Sequence, residues 1–277
     1  MSKVRGLLLA CHPLPTAVVT AISGCLAVSV GLTAGTVVLM VATILTGQLS
    51  IGWSNDVIDA DRDAAVGRTD KPLAVGSVTR RLTQAATVVA LLATVGLSAI
   101  LGGPAALAAL LIVVCGWAYN LGVRSTVLSF LPYVLAFGLL PAVGTLALPS
   151  HPWPAWWAMA AGAMLGVAAH LVNVLPDLRQ DALSGIRGLP HRIGATRSTI
   201  AAALLVMGAA AALLFGPTGA VPAWRWIAFG VLLAAGIGTA GVMRRPGKRL
   251  LFSMLIAGAA IDVVLFALSG THLVAGG

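Results

Sequence analysis

TVVLMVATILTGQLSIGWSNDVIDADRDAAVGRTDKPL, residues 36–73, carries a long apolar run directly into a cluster of carboxylates. The run over 36–54 is about the length needed to cross a hydrocarbon core, which takes about 20 apolar residues per helix. Asp56, Asp59, Asp61, Asp63 and Asp70 follow it. A second, shorter cluster, Asp177 and Asp181, lies in NVLPDLRQDALSGIRGLPHRIG, residues 173–194. Together these hold seven of the eight acidic residues, and the chain contains no glutamate. Carboxylates are costly near lipid, so their concentration at two places marks where function is to be sought.

The surrounding composition sets the class. Of 277 residues, 59% are hydrophobic and 9% charged, with a mean hydropathy of +1.00. Such a chain is read as an all-α polytopic membrane protein, because its runs are continuously apolar rather than alternating as in a barrel. Nine candidate spans are predicted: 14–32, 36–54, 83–101, 104–121, 127–147, 154–175, 198–216, 222–243 and 248–268. Pro132 and Pro141 in the fifth predict a kink beside a cavity. With nine spans, sixteen of the 17 Lys and Arg residues fall on one face and only Arg225 on the other. By the positive-inside rule the N-terminus is cytoplasmic and the C-terminus outside. The net charge of +9 is thus a topology signal, and no nucleic-acid partner is implied. The first span, preceded by Lys3 and Arg5, is expected to be retained rather than cleaved.

Smaller features are read locally. Cys11, Cys25 and Cys115 are expected to be buried as small hydrophobes. Trp153, Trp156, Trp157, Trp224 and Trp226 are expected in an outer aromatic belt. His12 and His191, each beside a proline, are read as interfacial residues, and Lys248 and Arg249 as topology determinants. Asp61 and Asp70 are expected to pair with nearby arginines, and Asp262, alone in the last span, to face the bundle or an outer vestibule with a structural partner.

The two clusters echo each other. Asn55, Asp59 and Asp63 are spaced by four, and so are Asn173, Asp177 and Asp181. Each triplet follows an apolar span and precedes Arg, Gly and Pro, which points to a duplicated helix–loop unit in a single domain of residues 1–277, with halves at 1–125 and 126–277. If the second span continues as helix, Asp56, Asp59 and Asp63 fall within about 60° of one face and Asp61 points about 140° from Asp56. Asp177 and Asp181 differ by about 40°. Converging carboxylates repel unless a cation lies between them. Mg²⁺ prefers oxygen ligands and suits such walls, leaving positions for a diphosphate. No His/Cys grouping at zinc-ligand spacing is present to favour a softer metal. Arg68, Lys71, Arg187 and Arg192 lie in the same loops and are candidates for the remaining phosphate oxygens.

These motifs resemble the signature of the UbiA-type intramembrane prenyltransferases. The match runs N-D-x-x-D-x-x-x-D at Asn55 to Asp63, then Arg68 and Lys71-Pro72-Leu73, and resumes at D-x-x-x-D from Asp177 to Asp181. The resemblance covers essentially the whole chain and implies nine transmembrane helices around a central cavity, with cytoplasmic cap loops. It implies two Mg²⁺ ions, one on Asn55, Asp56, Asp59 and Asp63 and one on Asp177 and Asp181. It further implies a polyprenyl diphosphate bound near Arg68 and Lys71, ionised to an allylic cation, and attacked by a lipophilic or aromatic acceptor. Lys71 stands where family members often carry Arg, which keeps the charge but not the two-pronged fork. Tyr119 and Arg124, ending the fourth span, are placed near the active site by the same resemblance, as acceptor- or phosphate-binding residues. Asn173 is added to the substrate set as the counterpart of Asn55.

Three other readings compete. A UbiA-type terpene cyclase would use the same ionisation without an external acceptor. A cation transporter would place its sites near the bilayer midplane, whereas these clusters end spans. A CDP-alcohol phosphotransferase would show D-G-x-x-A-R, which is missing. The excess of Arg over Lys, with abundant Ala, suggests a bacterial source and therefore the bacterial cytoplasmic membrane.

Overall fold

The computed structural model describes residues 2–183, 185–218, 222–223, 225–227, 229–231, 233–234 and 248–274. Its main helices are α1 (Lys3–Ala10), α2 (Pro13–Ser29), α3 (Ala34–Ala65), α4 (Arg80–Leu101), α5 (Gly103–Leu121), α6 (Leu131–Leu146), α7 (Trp156–Val174), α8 (Leu178–Leu183), α9 (Leu189–Phe215) and α10 (Lys248–Ala267). Local chemistry sets several boundaries. Thr33 caps α3 by accepting from the Thr36 N–H, and Thr79 caps α4 by accepting from the Leu82 N–H. Pro13 and Pro104 sit in the first turns of α2 and α5, where a missing N–H costs nothing. Gly122, at φ 151°, ends α5 in a conformation that side-chain-bearing residues avoid.

Neighbouring helices close a circuit: α2 packs on α3, α3 on α4 and α5, α5 on α6, α6 on α7, α7 on α9, α9 on α10, and α10 back on α2. Five helices, α3, α4, α5, α7 and α9, are each long and apolar enough to cross a membrane. The pair α1 and α2, bent by 62°, qualifies when taken together. Helix α6 and the segment Ala257–Phe266 are shorter apolar helices. The predicted eighth span, 222–243, falls largely outside the described residues, as does Trp224.

Helix α4 displays the solvent this fold is built for. Thr83, Thr87, Ala90, Thr94 and Ser98 recur at helical spacing and are buried. Val88, Val89, Leu92 and Ile100 on the other side are each at least 55% exposed. A helix with its hydroxyls inside and its aliphatics outside is stable only against lipid. Three of these hydroxyls are satisfied by the carbonyl four residues back, Thr83 by Thr79, Thr87 by Thr83 and Thr94 by Ala90 at 2.8 Å, and Thr94 also contacts the Thr46 hydroxyl of α3 at 3.0 Å; Ser98 Oγ meets no partner among the described residues.

Glycines bring α6 and α7 into close contact. A Cβ on Gly162 would stand 2.4 Å from the Phe137 carbonyl, and one on Gly166 would stand 2.6 Å from the Phe137 side chain. Both lie on one face of α7, and His170 follows at the same four-residue interval.

Some expectations are corrected. Trp153 and Trp156 are exposed as a belt requires, but Trp157 is buried against Gly216, because only one face of the α7 N-terminus can look outward. Cys25 is exposed on the outward apolar side of α2, with Cys11 buried and Cys115 between. Asp262 faces the bundle as predicted, yet neither carboxyl oxygen meets a hydrogen-bond partner among the described residues.

Candidate active site

Helix α3 runs unbroken for 32 residues, about 48 Å at the usual rise, so its last turns outreach a hydrocarbon core of about 30 Å. Those turns carry the first motif. Asp56, Asp59 and Asp63 are 2%, 6% and 7% exposed on one face. Asp61 lies on the opposite side, open to solvent and paired with Arg80 at 2.9 Å. The helical arithmetic therefore sorts the four carboxylates correctly. Asn55 Nδ2 donates to Asn120 Oδ1 at 3.2 Å, and Asn120 Nδ2 in turn donates to Ile51 O and Ser54 Oγ, tying the start of the motif to α5.

Two of these carboxylates, Asp56 and Asp59, form ion pairs with basic side chains from other segments. Asp56 Oδ1 accepts from Lys71 Nζ at 2.7 Å and lies 3.2 Å from His12 Nε2, while its Oδ2 is buried with no partner among the described residues. Asp59 is gripped by both terminal nitrogens of Arg124, one of them at 2.6 Å, and by Arg62 one turn on at 2.5 Å. Such a two-pronged guanidinium contact matches carboxylate geometry in a way an ammonium does not. Burial works most strongly against the charge on Arg124, but the hydrogen bonds to Asp59 together with the negative charges of Asp59 and Asp181 outweigh it, and its pKa is raised.

Arg68 joins the two motifs. It donates to both oxygens of Asp70, at 2.8 and 2.7 Å, and reaches Asp177 at 3.6 Å. The Arg68 hydrogen bonds pull the Asp70 carboxyl down to about 2. In the second motif, Asp181 lies 3.5 Å from His191 Nε2. Burial, followed by the neighbouring charge of Asp177, pushes Asp181 up to about 6, against the opposing pull of Arg68, Arg62 and Arg124. The two aspartate clusters thus face one field of basic groups. Gly188 makes the approach possible: a Cβ there would lie 2.4 Å from the Arg124 carbonyl, and its absence lets the Leu189 N–H reach Ser129 Oγ at 2.9 Å.

Not every predicted residue joins this arrangement. Arg187 and Arg192 are exposed, Arg192 donates to the Arg187 carbonyl at 3.0 Å, and among the described residues neither forms an ion pair with the aspartates. Asn173, in the last turn of α7, is exposed. Tyr119 joins an aromatic group instead: its ring centroid lies 5.3 Å from Tyr133 and 5.7 Å from His170, and Tyr133 stacks on His170 at 4.7 Å. His12 and His191, read from sequence as interfacial, both contact motif aspartates. His170 was not singled out at all, although a lone histidine continuing the Gly162–Gly166 stripe was a usable signal.

Among the described residues no three His, Cys or Asp side chains stand close enough to form a ready-made metal site. The donor chemistry nonetheless suits a hard cation. The acidic groups buried here offer carboxylate oxygens, and Asp56 Oδ2 meets no partner among the described residues.

The UbiA prenyltransferase family model matches residues 16–273. The chain belongs to that family. It is accordingly a prenyltransferase and an integral membrane protein. Solved structures agree on the UbiA fold. A UbiA homolog from Archaeoglobus fulgidus bound to GPP and Mg²⁺ superimposes with a TM-score of 0.69 at 15% identity, covering 95% of this chain and 99% of that one. The apo structure of a UbiA homolog from Aeropyrum pernix K1 gives 0.69 at 18% identity, covering 96% and 98%. A digeranylgeranylglyceryl phosphate synthase gives 0.68 at 15% identity, covering 98% and 99%. No curated protein matches this chain.

Proposed function

We propose that this UbiA-family protein transfers a prenyl group from a polyprenyl diphosphate to a lipophilic or aromatic acceptor, with two Mg²⁺ ions held by the aspartate motifs. The observation that carries this reading is the meeting of the two motifs at Arg68 and Asp177, 3.6 Å apart, over a shared set of basic side chains. The Archaeoglobus fulgidus relative, bound to GPP and Mg²⁺, supports the same ligand classes here.

On this reading Asn55, Asp56, Asp59 and Asp63 hold one ion and Asp177 and Asp181 the other. When bound, Mg²⁺ supplies fixed positive charge where negative charge develops on the departing diphosphate. Arg68, Lys71 and Arg124 are near enough to the carboxylates to bind diphosphate oxygens alongside them. Arg187, Arg192 and Asn173 are secondary candidates at the rim. Tyr119 and its aromatic neighbours offer a dry surface with electron-rich ring faces, suited to an allylic cation or an aromatic acceptor. The prenyl tail lies among Leu, Val and Ala of the spans. Nine spans in a single domain, with the motif ends and the N-terminus on the cytoplasmic side of a bacterial membrane, complete the reading.

The direct experiment incubates purified protein with Mg²⁺ and C10–C20 prenyl diphosphates and measures diphosphate release with and without acceptor. Asp56→Ala and Asp177→Ala are each expected to abolish release. Near-wild-type turnover in either would refute the two-ion assignment, and a cyclic hydrocarbon or alcohol formed from the diphosphate alone would favour cyclisation over transfer.

A further inference from the structure

The elbow between α1 and α2 is built to deliver one side chain. His12 sits at the break with φ 55° and ψ 68°, a left-handed conformation that a β-carbon disfavours. Pro13 follows directly, and the residue before a proline normally prefers extended backbone. Strain of this kind persists only where surrounding contacts over-determine it. Here they do. Gly52 on α3 lacks a Cβ that would stand 2.3 Å from the Cys11 carbonyl, so the elbow lies directly on the α3 backbone, one turn before Asp56. Trp53 Nε1 donates to the Leu7 carbonyl at 2.8 Å, and Thr16 Oγ1 donates to the Cys11 carbonyl at 2.8 Å.

The held conformation sends the imidazole to the active site. Its Nε2 lies 3.2 Å from Asp56 Oδ1 and 3.3 Å from Lys71 Nζ. As a donor, Nε2–H restrains the carboxylate; as an acceptor, Nε2 restrains the ammonium. Both arrangements fix the Asp56–Lys71 pair through one atom. The other oxygen, Asp56 Oδ2, is buried and has no partner among the described residues.

We propose that His12 is a positioning residue: it anchors one edge of Asp56 so that Oδ2 is presented in a fixed direction to a divalent cation. The proposal rests on the magnesium-dependent reading given above. Groups that orient a metal-ligating carboxylate typically change metal affinity by about 10- to 100-fold when removed.

The test measures equilibrium Mn²⁺ binding to the full chain in detergent, by electron paramagnetic resonance and without substrate, alongside thermal unfolding. His12→Gly removes the imidazole but relieves the left-handed backbone, so its unfolding midpoint should hold or rise while Mn²⁺ affinity falls about tenfold or more. His12→Gln keeps a hydrogen-bonding group and should stay within about threefold of wild type. Wild-type-like Mn²⁺ affinity in His12→Gly would overturn the proposal alone, as would affinity losses that merely follow a falling midpoint in both variants. Absence of saturable Mn²⁺ binding by the wild-type chain would instead remove the magnesium reading itself, and this proposal with it.

Discussion

The two aspartate motifs share one spacing and acquire two structures. Asn55, Asp59 and Asp63 ride a single unbroken helix, and both carboxylates are buried, Asp59 between the guanidinium groups of Arg62 and Arg124. Asn173, Asp177 and Asp181 repeat the interval, but α7 ends at Val174, Asp177 precedes α8, and the Asp177 side chain is 41% exposed. Pro176 explains the divergence, since it has no N–H to continue the ladder and its ring clashes with the preceding turn. The lesson is that residue spacing fixes a common face only while the helix continues. The first motif lies on one continuous helix, and the second spans a break between helices, with Asp177 near Arg68 and Asp181 near His191.

The contrast can be broken most forcefully at Asp59. Asp59→Ala strips the partner from buried Arg124 and should destabilise the fold by about 3–5 kcal/mol in a denaturant or thermal titration. Asp177→Ala, at a half-exposed and longer ion pair, should cost under about 1 kcal/mol. Equal costs would mean that the two walls are equivalent after all. Next, Gly188→Ala pushes a methyl against the Arg124 carbonyl and should separate the two motif loops. We expect about 1–3 kcal/mol of destabilisation together with a raised KM for the prenyl diphosphate in the release assay.

Proton competition sharpens the comparison at the second wall. The Asp181 carboxyl, raised to about 6, keeps its proton up to that pH, so any cation binding there must displace it. Divalent-cation affinity should therefore weaken as pH falls through about 6 and level off above it; a flat profile from pH 5 to 7.5 would remove Asp181 from the ligand set. The smallest effect is expected at Asp61. Its pair with Arg80 is exposed, so Asp61→Ala should shift stability by less than about 0.5 kcal/mol and leave diphosphate release unchanged.

Much of this was readable along the chain. The 59% hydrophobic content requires lipid as solvent, and the 100° advance of a helix by itself separates Asp61 from Asp56, Asp59 and Asp63. Those properties are local: periodicity and transfer free energy belong to each segment alone. Partner identity is not local. Arg124 grips Asp59 from 65 positions away, His12 reaches Asp56 from 44 positions away, and Arg187 and Arg192 stand off although they follow the second motif closely in sequence. Those outcomes turn on backbone approaches at Gly52 and Gly188, where one β-carbon would hold the segments apart. Charge and spacing told which residues wanted company; only close packing between distant segments decided which company each one kept.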